Sequence, residues 1–204
     1  MKSGILAGRL TWLFSLLLVL PLSACAMYQP PVTLSADDLK PLEFSEVVTA
    51  DGLTKEQLYS AAQAWFGSTF RSAKTVFDVQ DREAGRIIGK PLFEYEPSRL
   101  SGSAVIRGVV TYNVTIEVKD GRYRYIIGNF VHEGSKSYYQ GIALSPLSFG
   151  LITPAENCPY PIQTTSDLVQ ATWQELQSRA KTEAVQLVAA LKKNMIQPVQ
   201  KTNW

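Results

Sequence analysis

Residues 104–132 read AVIRGVVTYNVTIEVKDGRYRYIIGNFVH, and the first part of this stretch repeats with period two. Val110, Tyr112, Val114, Ile116 and Val118 alternate with Thr111, Asn113, Thr115 and Glu117. Successive side chains of a strand point to opposite faces, so the pattern predicts a half-buried strand over Ala104–Lys119. Asp120-Gly121 is a two-residue hairpin signal that favours a type I′ turn, after which Arg122–His132 returns antiparallel. That turn sets the register: Lys119 faces Arg122, Val118 faces Tyr123, Ile116 faces Tyr125 and Val114 faces Ile127. Cross-strand partners share a face, so the tyrosines and Ile127 join the valines on an apolar side. Glu117 meets Arg124 on the other, mixed side.

Working outward, Arg86–Tyr95 reads as a strand, with Pro91 marking an edge or a bulge. Asp81–Gly85 is a turn, Lys74–Gln80 a further strand and Phe44–Ala50 the first strand. Between them lies a well-marked helix start. Thr54 is the N-cap, Gln57 closes a capping box, and Leu53 and Leu58 occupy the staple positions. Leu58, Ala62, Trp65 and Phe66 then share one helical face, and the helix is expected to end near Phe70. Beyond the hairpin, residues 133–164 are irregular and rich in Gly, Pro and Ser. Val169, Trp173, Leu176, Ala180, Ala184, Leu187 and Leu191 follow at helical spacing, capped by Ser166 or Asp167 and ended before Pro198. The expected fold class is α+β, in the order β-α-β-β-β-β-α, with an antiparallel sheet packed on a long C-terminal helix.

The N-terminus carries a different signal. Lys2 and Arg9 precede an apolar run from Leu10 to Leu20, and Pro21 then leads into Leu22-Ser23-Ala24-Cys25. The run suits a signal sequence and is short of the roughly 20 apolar residues a bilayer span needs. The four residues ending in Cys25 resemble a lipobox, which implies cleavage between Ala24 and Cys25 and acylation (diacylglyceryl and palmitate chains) of the Cys25 thiol. Residues 1–24 are therefore read as a lipoprotein signal peptide, 25–42 as a lipidated tether, 43–197 as a single domain and 198–204 as a tail. Ala26, where an aspartate would favour inner-membrane retention, points to the outer membrane facing the periplasm. Without residues 1–24 the chain has 18 basic and 18 acidic residues, a balance that argues against nucleic acid as a partner. With Cys25 acylated, Cys158 has no partner for an intramolecular disulfide.

Several segments together resemble a known family. They are Asp51–Tyr59 (DGLTKEQLY), Ala64-Trp65-Phe66, Asp81–Gly89 (DREAGRIIG) and Val118–Tyr125 (VKDGRYRY), within residues 44–132. In order and spacing they are similar to the bacterial DUF4468 domains, described as having a TBP-like fold. The resemblance implies that fold and an envelope setting, and it brings no activity and no functional residues.

No metal-binding, phosphate-cradling or hydrolase motif stands in the sequence, so neither a cofactor nor catalysis is expected. His132 and Cys158 are the pair from which a thiolate dyad could be assembled, the rival reading being an envelope hydrolase built on them or on an unseen carboxylate pair. Arg122 and Arg124 offer forked donors for a carboxylate or phosphate, with Glu117 opposite as the simpler partner. The 133–164 loop carries Tyr138, Tyr139 and Phe149 among other apolar residues, too many for simple disorder. It is expected either to pack as a lid or to present an adhesive surface. The expectation for function is a non-catalytic, lipid-anchored envelope domain that binds a protein or small ligand, or else a structural envelope-assembly partner.

Overall fold

The computed structural model describes residues 36, 38–70, 76–98, 103–162 and 165–196. The signal peptide, Cys25, most of the tether and the 198–204 tail lie outside the described residues. Strand β1 is Glu43–Thr49 and helix α1 is Lys55–Thr69. Strands β2 (Phe77–Asp81), β3 (Arg86–Gly89) and β4 (Leu92–Tyr95) lead to a helical turn, α2, at Ser103–Ile106. The long pair β5 (Gly108–Lys119) and β6 (Arg122–Gly134) follows, then β7 (Ser137–Tyr139), β8 (Ile142–Leu144), β9 (Gly150–Leu151) and α3 (Ser166–Met195).

The order across the main sheet is β1-β6-β5-β3-β2, every pairing antiparallel, with β4 continuing beside β5 and β9 beside β6. From the turn as far as Asn113↔Gly128 the β5–β6 register is the one the hairpin turn demands, including Val118↔Tyr123 and Glu117↔Arg124; beyond it, from Thr111↔Val131 on, the pairing is shifted by one residue. Its apolar face is buried from Val110 to Val118 and from Tyr123 to Ile127, in one core with Leu58, Trp65, Phe66, Trp173, Leu176 and Leu191. Helix α3 thus covers the sheet as its spacing predicts, and α1 packs beside it. The capping box at Thr54 and Gln57 is present.

Several details differ from the sequence reading. The Asp120-Gly121 turn is not type I′: Gly121 sits at φ +71 while Asp120 is not in the left-handed region. The type I′ signature, positive φ at both central residues, appears instead at Gln140 (φ 49) and Gly141 (φ 81), between β7 and β8. Arg86–Tyr95 is two strands in place of one. Pro91 lacks the N–H a ladder needs, yet its carbonyl accepts from Tyr112 N–H at 3.0 Å, and Gly89↔Val114 and Leu92↔Thr111 keep a common register across the gap. Ala104–Ile106 is a helical turn, so β5 begins only at Gly108. The N-cap of α3 is Thr165, one residue before the expected cap, and its side chain makes no capping bond. Leu42, assigned to the tether, is 7% exposed and belongs to the core, its N–H donating to the Ile152 carbonyl at 3.0 Å.

The irregular segment after β6 divides in two. Residues from Leu147 to Tyr160 are packed: Phe149 and Ile152 are buried, Trp173 Nε1–H donates to the Ala155 carbonyl at 2.9 Å, and Gln177 Nε2–H reaches the Thr153 carbonyl at 2.7 Å. The β7–β8 hairpin forms its own two-stranded sheet apart from the main one.

Candidate functional site: the open face of the sheet

Both long helices lie on the apolar face, which leaves the other face of the sheet to solvent among the described residues. Register decides what is displayed there. Arg86 pairs with Glu117, Glu117 with Arg124 and Arg124 with Val47, so these four side chains form one row across β3, β5, β6 and β1. Glu117 is the centre of that row. Its Oε1 accepts from Arg86 (Nε 3.1 Å, Nη2 3.0 Å) and its Oε2 from Arg124 (Nε 3.0 Å, Nη2 2.7 Å). The Glu117–Arg124 pair follows from the hairpin turn alone. Arg86 was missed as a site residue, because its pairing depends on a strand about 30 positions earlier whose register no local turn sets.

Beside this row, Val47, Glu117, Lys119, Arg122, Tyr123 and Arg124 line an open groove of about 320 Å³. Lys119 and Arg122 stand directly opposite each other at the turn, and neither pairs with another described side chain. Like charges placed so repel, and a closed ion-pair network would have avoided the arrangement. Val47 is 59% exposed beside them, an apolar surface next to a concentration of positive charge.

The loop residues separate. Phe149 is a core residue, fully buried, and so cannot form an adhesive surface. Tyr138 is 69% exposed and Ile142 67% exposed on the β7–β8 hairpin. Tyr138 pairs with Ala143 while Ile142 pairs with Tyr139, so the two exposed side chains sit on opposite faces of that hairpin. The Tyr139 side chain lies outside the description.

His132 and Cys158 do not form a dyad. His132 is fully buried, its Nδ1 accepting from Phe149 N–H at 3.1 Å and its Nε2 at 3.0 Å from the Ile106 carbonyl. The first bond places the proton on Nε2, which donates to Ile106, so both ring nitrogens are committed to the backbone. Burial lowers the His132 pKa to about 4, so the ring is neutral at neutral pH. Cys158 Sγ instead points to the Tyr160 carbonyl at 3.8 Å, and burial raises its pKa, the opposite of an activated thiol. Among the described residues no cluster of His, Cys, Asp or Glu could hold a metal, and no helix is long and apolar enough to cross a membrane.

No curated protein matches this chain. Among solved structures, a TBP-like protein from Parabacteroides distasonis ATCC 8503 superposes with a TM-score of 0.51 at 13% identity, covering 74% of this chain and 93% of that one. A DUF4468 family protein from Bacteroides ovatus ATCC 8483 gives a TM-score of 0.42 at 14% identity, over 74% of this chain and 86% of its own. At such identities the first likeness speaks for the fold alone. The family model for DUF4468, a domain of unknown function with a TBP-like fold, matches residues 44–133, the span from β1 through β6. The span from β1 through β6 thus matches the DUF4468 family model, and the chain has a TBP-like fold.

Proposed function

We propose that this protein is a non-catalytic binding module of the bacterial cell envelope, held by lipid on Cys25 to the outer membrane and engaging an envelope protein through the β7–β8 hairpin. The observation that carries the reading is the exposure of Tyr138 and Ile142, large apolar side chains on a hairpin paired to nothing but itself. Exposed aromatic and aliphatic side chains, one on each face of the hairpin, offer a partner that grips the hairpin a large apolar contact on either side. The remainder of the loop is scaffold, since Phe149 and Ile152 are in the core. An assembly role is the same reading with a permanent partner.

The test is affinity capture from detergent-solubilised envelopes, using the full chain and a Tyr138→Ser, Ile142→Ser variant. Deleting the loop from 136 to 160 would be a poor control, because it removes Phe149 from the core. A recurring partner retained by the wild type and lost by the double variant is the expected outcome. Equal capture by both would remove the hairpin from the account. The lipid anchor has its own check: intact-mass measurement of the membrane-extracted protein, expected to lack residues 1–24 and to carry acyl chains lost on Cys25→Ser.

A further inference from the structure

The groove at the turn end of β5 and β6 calls for a ligand different from the hairpin's. It is lined by three cations, Lys119, Arg122 and Arg124, against a single carboxylate, Glu117. That carboxylate is already shared with Arg86 from outside the groove. Arg124 spends its Nε and Nη2 on Glu117, while Lys119 and Arg122 face each other with no acidic partner among the described residues. The groove therefore holds more positive charge than it neutralises. From the charge balance we infer that it binds a small phosphomonoester, whose dianionic head lies between Lys119 and Arg122 and whose organic part rests on Val47.

Three features select this chemistry. A dianion offsets the excess charge where a monocarboxylate would leave a cation uncompensated. Arg122 supplies a planar fork and Lys119 a compact point charge, both suited to phosphate oxygens. Val47, exposed within the same lining, gives an apolar contact that inorganic phosphate would leave unused. The volume of about 320 Å³ is at the lower end of the usual range for small-molecule sites, roughly 300–1,000 Å³. Contacts so open to water are screened by salt, so affinity falls as ionic strength rises.

The experiment is calorimetric titration of the full chain at low salt with phenyl phosphate, inorganic phosphate and benzoate. Phenyl phosphate is expected to bind saturably and to lose affinity at least about tenfold in the Lys119→Ala, Arg122→Ala variant, a loss of about 1.4 kcal/mol. Val47→Ser is expected to weaken phenyl phosphate while leaving inorganic phosphate unchanged. Arg107→Ala, which alters a cation paired with Glu96 just before the other end of β5, serves as a control and is expected to bind as the wild type does. Absence of saturable binding, equal binding by the wild type and the double variant, or benzoate binding as tightly as phenyl phosphate would each overturn the assignment. None of these results bears on capture through the hairpin, so the two readings fail separately.

Discussion

His132 shows how one side chain can look functional in sequence and be structural in the fold. Between Thr111↔Val131 and Asn113↔Gly128, β6 carries one residue more than β5, and Asn129 takes the extra position at φ 56. The bulge reverses the in-out phase, so Phe130 and His132 are buried where unbroken alternation from Tyr123 would bury odd-numbered residues. Once inside, the imidazole ties the α2 turn to the start of β9 through Ile106 and Phe149. Its folded pKa, about 4, lies below the ordinary value of 6.5. The unfolded chain therefore binds the extra proton first, and the fold loses stability as pH falls from about 6.5 towards 4. The loss should reach roughly 3 kcal/mol below that window. Urea unfolding at pH 7.5 and pH 4.5 is expected to show this slope in the wild type and a reduced one in His132→Gln. The signal for the bulge was present in Gly128-Asn129, a pair that tolerates unusual backbone inside a strand.

At the scale of elements, the start of α1 is held by two devices of different origin. Thr54 accepts from Gln57 N–H at 3.3 Å and Gln57 Oε1 accepts from Thr54 N–H at 2.8 Å, all within four residues. Asp120, at the hairpin turn, accepts from Lys55 N–H at 2.7 Å across 65 positions, and Gly121 N–H donates to the Leu53 carbonyl at 2.9 Å. A carboxylate at a helix N-terminus also meets the positive end of the helix dipole. Thr54→Ala and Asp120→Ala are each expected to cost about 1 kcal/mol in denaturant unfolding. Because both act on the same helix end, one on the Gln57 N–H and the other on the Lys55 N–H, the double variant is expected to depart from the sum of the two by about 0.5 kcal/mol or more. On the edge strand β1, Glu46 receives Lys192 Nζ and the Tyr125 hydroxyl, both at 2.7 Å. These bonds, that of Lys192 first, hold the Glu46 carboxyl below the usual range and join β1 to the last turn of α3.

Across the whole molecule the loop after β6 distinguishes scaffold from display. Phe149→Ala removes a fully buried ring packed against His132 at 5.7 Å and should destabilise the domain by roughly 3–5 kcal/mol. Tyr138→Ser with Ile142→Ser, at exposed positions, should change stability by no more than about 0.5 kcal/mol per site. Thermal unfolding of the two variants side by side checks both expectations, and it also establishes that any loss of capture by the hairpin variant is not a loss of fold. The outer face shows the same division. Its central carboxylate is satisfied twice over, while Lys119 and Arg122 at its margin are left opposed.

Period-two alternation, the Asp120-Gly121 turn, the capping box and the spacing of Val169 to Leu191 are local patterns, and each is legible because its partners lie within a few residues or across a short turn. They were enough for the β5–β6 register from the turn to the bulge, the Glu117–Arg124 pair and the sheet-on-helix architecture. The tertiary structure alone decided that Arg86 joins Glu117, that Asp120 caps a helix far earlier in the chain, that Phe149 is core and that Tyr138 is not. Those outcomes rest on which strand lies beside which and on a one-residue bulge. A shift of one residue exchanges the two faces of a strand, and no local pattern records contacts between segments that meet only in the folded chain.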